Sequence, residues 1–224
     1  MSRVALLLAL VASVAVAQAL PDPVALAHRA GVALGDPDAV TELAFTFVVR
    51  AQGQERVRRR HTWRPGEGTL RVASGEREVV LRNVHAHDLD RAARDPAAHA
   101  AVWRAVSPEA SPEDAAGAWA AFINDAFWLY APARMRAPGT SLSYEEGWLR
   151  VAYGDVGVTP GDRYDYRLDD EGRVTEWRYR LSSGRDGRWT WKEHRSFGPL
   201  TLSVLRESMD GDTVIAFEDV AVTP

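Results

Sequence analysis

From Pro138-Gly139 to its C-terminus the chain is written in short alternating runs separated by turn dipeptides: Glu146-Gly147, Glu171-Gly172, Asp186-Gly187 and Asp210-Gly211. A strand's side chains alternate between two faces, and an acidic residue followed by glycine supplies the backbone angles of a tight hairpin. Tyr164, Tyr166 and Leu168 share one face, as do Trp177, Tyr179 and Leu181, then Trp189, Trp191 and Phe197. Ile215 and Phe217 alternate with Glu218 and Val220 in the last run. This pattern demands a large antiparallel sheet.

The sheet is entered twice. From Glu42, residues Leu43, Phe45, Phe47 and Val49 point one way while Thr46 and Arg50 point the other. Glu55 to Trp63 is a second strand, with Val57, Arg59, His61 and Trp63 on one side and Arg56, Arg58 and Arg60 opposite. Two shorter strands follow, Thr69 to Val72 and Glu78 to Asn83. Helices flank and interrupt this pattern. Asp22-Pro23 caps a short helix from Val24 to Ala30 that ends near Gly31, and Asp36-Pro37 starts a turn. Asp95-Pro96 caps a helix from Ala97 to Val106, and Ser111-Pro112-Glu113-Asp114 caps a longer one from Ala115 to Tyr130. The long helix sets Ala115, Ala118, Trp119, Phe122, Ile123 and Ala126 on one stripe. Phe127 and Trp128 lie where it turns apolar on two sides, before Pro132 stops it. The expected class is α+β: a large curved antiparallel sheet, a half-open barrel, with a helical plug or lid.

Residues 1–19 read as an export signal: Arg3, an apolar run from Val4 to Val16, then Ala17-Gln18-Ala19. The run falls short of the ~20 residues that span a bilayer. Residues 20–224 are expected to form a single domain, monomeric and periplasmic or secreted. A net charge of −4 disfavours nucleic acid as a partner. The absence of cysteine excludes disulfides, thiolate zinc and a cysteine nucleophile.

Motifs for chemistry are sparse. His85 and His87 in an extended segment could reach one ion, yet two histidines fall short of the three protein ligands of a catalytic zinc, so no metal site is expected. Asp165, Asp169, Asp170 and Glu171 miss the spacing of a calcium loop. No Gly-x-Ser-x-Gly elbow or glycine-rich phosphate loop occurs, and no cofactor is expected. The arginine run Arg56 to Arg60 could touch anionic headgroups or phosphate, and reads first as a solvated sheet face with acidic partners across the strands.

The eight tryptophans are the most informative feature. Aromatic stripes this dense build either a packed core or the wall of an apolar cavity. A sheet this wide needs more cover than a few helices provide, which favours a cavity. Its expected lining is Trp63, Phe127, Trp128, Tyr130, Trp148, Trp177 and Trp189, with Phe127 and Trp128 at the entrance.

The order of elements, export signal, helix, paired strands, helical insertion and a long run of hairpins, resembles the LolA/LolB-like superfamily. Three blocks add to this: Phe122-Ile123-Asn124-Asp125-Ala126-Phe127-Trp128-Leu129-Tyr130-Ala131-Pro132, Val156-Gly157-Val158-Thr159-Pro160-Gly161-Asp162-Arg163-Tyr164, and Phe217-Glu218-Asp219-Val220. They look like segments of uncharacterised exported bacterial proteins of that kind. The resemblance implies a half-open barrel closed by helices, of the sort that carries lipoprotein acyl chains in the periplasm. The lipoprotein-type cysteine of a LolB-like receptor is missing, and no residue matches the arginine that latches the carrier's lid. The implied function is a non-enzymatic carrier of a lipid or lipoprotein acyl chain, with transient contacts to the membrane or envelope proteins. Two other classes compete: a secreted hydrolase built on His85, His87, Asp155, Asp162 or Asp165, and an envelope scaffold whose aromatics simply fill its core.

Overall fold

The computed structural model describes residues 20–154 and 158–224; the expected export segment, residues 1–19, lies outside them. Helix α1 (Pro23–Leu34) starts as expected, with the Asp22 carboxylate accepting the Val24 N–H at 2.9 Å. It runs through Gly31 and ends at Gly35. There φ reaches 105°, and a Cβ would lie 2.1 Å from the Pro199 carbonyl oxygen. The chain stops its helix where only glycine fits.

Strands β1 (Glu42–Ala51), β2 (Gln54–Arg64), β3 (Thr69–Ser74) and β4 (Arg77–Leu81) form one meander. β4 ends two residues early because Asn83 turns to a left-handed φ of 56°. The helical segment holds a short α2 (Leu89–Ala92) that the sequence pattern does not announce, then α3 (Ala100–Val106) and α4 (Pro112–Tyr130). Asp95 does accept the Ala98 N–H, but the cap holds only a turn, and α3 begins at Ala100. The cap of α4 forms in full: Ser111 Oγ accepts the Asp114 N–H at 3.0 Å and donates to the Asp114 carboxylate at 2.8 Å.

The second meander comprises β5 (Thr140–Glu145), β6 (Trp148–Tyr153), β7 (Arg163–Leu168), β8 (Val174–Arg180), β9 (Asp186–Phe197), β10 (Leu200–Ser208) and β11 (Thr213–Thr223). Glu146 and Gly147 both take positive φ, the pairing that a two-residue hairpin requires. Asp186-Gly187 is no turn. It lies inside β9, where Gly187 opposes Tyr179 and a Cβ would meet the Tyr179 ring at 2.7 Å. The hairpin instead turns through Gly184, whose N–H bonds to the Leu181 carbonyl.

All the strands join in one open antiparallel sheet, ordered β4-β3-β2-β1-β11-β10-β9-β8-β7-β6-β5. The chain leaves one edge at β4 and resumes at the other with β5, so the helical segment must cross the concave face to connect them. The core lies in that crossing, between the sheet and the helices. The convex face carries charge. Arg58 bonds to Glu55 and Glu218, and Arg50 bonds to Glu218, as expected of a solvated face. Among the described residues no helix is long and apolar enough to cross a membrane.

Candidate functional site

Strand register sorts the aromatic side chains. Leu149, Tyr166, Trp177 and Trp189 lie directly opposite one another along β6 to β9, and paired residues share a face. α4 lays Phe127 and Trp128 on this row. Phe127 meets Tyr153, Tyr164 and Trp177, and Trp128 sits edge-on to Trp177 at 4.6 Å and Trp189 at 4.9 Å. Four of the seven expected lining residues therefore come together: Phe127, Trp128, Trp177 and Trp189.

The others are placed apart. Trp63 belongs to a second cluster on the β1–β2 half, touching Phe122 and His85. Tyr130 faces Asp38 and Arg134, and its hydroxyl is pushed up to about 12, mainly by burial. Trp148 falls on the convex face, because Leu149 is the residue in register with Tyr166. There it lies under the guanidinium groups of Arg167, Arg178 and Arg188, at 4.3, 4.5 and 5.5 Å from the ring centroids. A one-residue shift in parity separates it from the concave row.

α4 bridges the two aromatic clusters, and between them it buries a carboxylate. The expected stripe is rotated: Ala115, Ala116, Ala118, Phe122, Asp125 and Leu129 are the buried positions, while Trp119, Ile123 and Ala126 flank them half-buried. Asp125 is fully buried and takes a bidentate pair from Arg59, at 2.7 and 2.8 Å, with His61 Nε2 at 2.8 Å from the same carboxylate. Arg59 and His61 share the β2 face of Trp63, as their parity required; the acid that satisfies them comes from the helix.

A second cation is buried under the end of α4. Arg206 is fully buried and stacks 3.5 Å from the Trp191 ring centroid. Its guanidinium donates to the Ser203 carbonyl at 3.0 Å, the Leu205 carbonyl at 3.2 Å, the Ser203 hydroxyl, and the Trp128 carbonyl at 2.7 Å. Burial alone drives its pKa well below the usual arginine value. The Trp128 carbonyl is free to accept because Pro132, four residues on, has no N–H.

The seam is polar in an unfinished way. Among the described residues His61 Nδ1, Trp177 Nε1, Trp191 Nε1 and Arg206 Nε have no hydrogen-bond partner. A pocket of about 20 Å³ opens beside Trp191, lined also by Leu34, Leu129, His194 and Ser203 among others. It has room for little more than one water molecule. Neighbouring His194 has its pKa lowered, first by burial and then by Arg206 and Arg173.

The remaining candidates do not converge. His85 bonds to the Pro65 carbonyl beyond β4, Asp165 on β7 accepts from Arg150 and Arg178 on the convex face, and Asp162 braces the loop to Ser182. Asp155 lies outside the described residues. Among the described residues no three potential metal ligands gather.

No family model matches the chain, and no curated protein matches it. Among solved structures it is similar to LolA superfamily protein NE2245 from Nitrosomonas europaea, with 10% identity and a TM-score of 0.43 across 90% of this chain and 94% of that one. It is also similar to a DUF1329 family protein from Desulfovibrio piger ATCC 29098, with 12% identity and a TM-score of 0.41 across 89% of this chain and 91% of that one.

Proposed function

We propose that the protein is a non-enzymatic, exported binder of an acyl-chain lipid, and that Phe127 and Trp128 occupy the place the ligand takes. The observation that supports this most is the seam beneath α4. An ordinary core buries apolar contacts and satisfies its polar atoms. Here the helix is held over an aromatic row by a buried ion pair and a buried arginine, and nitrogens of His61, Trp177, Trp191 and Arg206 are left without a partner among the described residues. Such a contact is specific in geometry and gains little from its polar part, so the helix can be exchanged for something that dries the same surface.

The balance is favourable for a long chain. Each buried methylene contributes about 0.8 kcal/mol. Withdrawing Phe127 and Trp128 together costs about 6–10 kcal/mol, at about 3–5 for each large aromatic. An acyl chain of roughly fourteen carbons or more exceeds that cost. Trp63, Tyr130 and Trp148 lie off the row and are left out of the proposed lining.

Native mass spectrometry of protein purified from its own host, with extraction of its lipids, tests the reading. Acyl-chain species should be released from the folded protein. Protein that is empty and unmoved by added acyl ligands would leave the concave face as a filled core and nothing more.

A further inference from the structure

Arg206 is a full positive charge with no carboxylate in contact among the described residues; its acceptors are carbonyls and one hydroxyl. Taking a guanidinium out of water costs several kcal/mol, and neutral acceptors offset only part of that. What it has instead of an anion is the end of α4, whose carbonyls carry the partial negative charge of a helix C-terminus. Pro132 frees the Trp128 carbonyl for this contact.

The hydrogen-bond pattern shows what could replace that carbonyl. Nη1 is committed to Ser203 and Leu205, both from the arginine's own strand. Nη2 holds only the Trp128 carbonyl, and Nε holds nothing among the described residues. Nε–H and the adjacent Nη2–H form the edge that grips a carboxylate through two parallel bonds. Withdrawing the last turn of α4 leaves that edge fully open, between the Trp191 and Phe217 rings.

We propose that Arg206 is the headgroup site of the concave face and that the ligand is a single-chain lipid ending in a carboxylate, a fatty acid in chemical class. This rests on the lipid-binding reading above and narrows it. A triacylated protein anchor presents esters and an amide, which cannot neutralise a buried cation. One guanidinium matches one monoanion, whereas a phosphate monoester carries up to two charges and would leave one buried without a partner. Because the Trp128 carbonyl and the carboxylate compete for Nη2, head binding and release of α4 are one event.

The test is calorimetric titration of the delipidated full chain with palmitate, methyl palmitate and hexadecyl phosphate. Palmitate should bind at least about 10-fold tighter than its methyl ester, the least expected of a charge-assisted hydrogen bond. Arg206→Met should abolish that preference, so that acid and ester bind with equal affinity. Its thermal midpoint should hold or rise, since a buried uncompensated charge has been replaced by an apolar chain. Should that variant fail to fold, Arg206→Lys keeps the charge but loses the fork, and an unchanged preference for the acid would overturn the assignment. Equal binding of acid and ester would overturn it while leaving the lipid-binding reading standing. Hexadecyl phosphate binding more tightly than palmitate would overturn the carboxylate in favour of a phosphate head. Binding of none of the three would bring down both readings.

Discussion

Asp125 shows how one residue fixes the setting of a helix. Its carboxylate holds Arg59 in a bidentate pair and lies against His61, so removing it strands two basic side chains facing the core. Asp125→Ala should cost about 3 kcal/mol, the low end for a broken buried pair because the Arg59 side chain is 26% exposed. The shift in urea midpoint measures it. His194 gives a different signature. Its folded pKa lies below the ordinary imidazole value, so the unfolded chain takes up its proton first as pH falls. That component of stability is complete above about pH 6.5 and is lost below it. His194→Gln should flatten the melting temperature between about pH 7 and 5.5 while leaving the steeper loss near pH 4. That second loss belongs to Glu55, Glu218 and Asp169, whose pKa values are lowered, so their contribution disappears as they protonate. Some of this was legible in the sequence: period two put Arg59 and His61 on the Trp63 face. Their partner was not, because an aspartate within an apolar helical block looks the same whether it faces water or an arginine from a distant strand.

At the scale of elements, α4 unites a structural half with a yielding half. Phe122 is buried among His61, Trp63 and Trp119 on the side of the helix anchored by Asp125. Phe127 and Trp128 lie only half-buried on the aromatic row of β7 to β9. Phe122→Ala should therefore destabilise by about 3–5 kcal/mol with little effect on ligand kinetics. Trp128→Ala should change ligand uptake and release more than stability. Denaturant midpoints and ligand off-rates for the two variants separate these effects, and equal stability losses with unchanged kinetics would make α4 core alone. The caps that set its start, like those of α1, were plain in Ser111-Pro112 and Asp22-Pro23. Asp186-Gly187 misled because a glycine serving close approach to a ring is spelled like a glycine serving a turn. Gly187→Ala should accordingly destabilise by about 1–3 kcal/mol, through overpacking against Tyr179. Tyr179→Leu should recover part of the loss in the same urea titration.

The molecule as a whole is two meanders sewn together down the middle. Their existence followed from the alternation, but their edges did not: period and turns reveal neighbours in sequence and are silent about the pairing of β1 with β11. That pairing joins residues as far apart as Glu42 and Thr223, 181 positions along the chain, near the middle of the sheet. It bears on how the protein is made. Each meander contains only local contacts and can form as its own hairpins close, whereas the central seam carries the largest loop-closure entropy and must wait for the C-terminal strand. A ribosome thus exposes a sheet whose two halves can begin to fold before its middle exists, because β11, which completes the middle, follows every other strand of the sheet out of the tunnel.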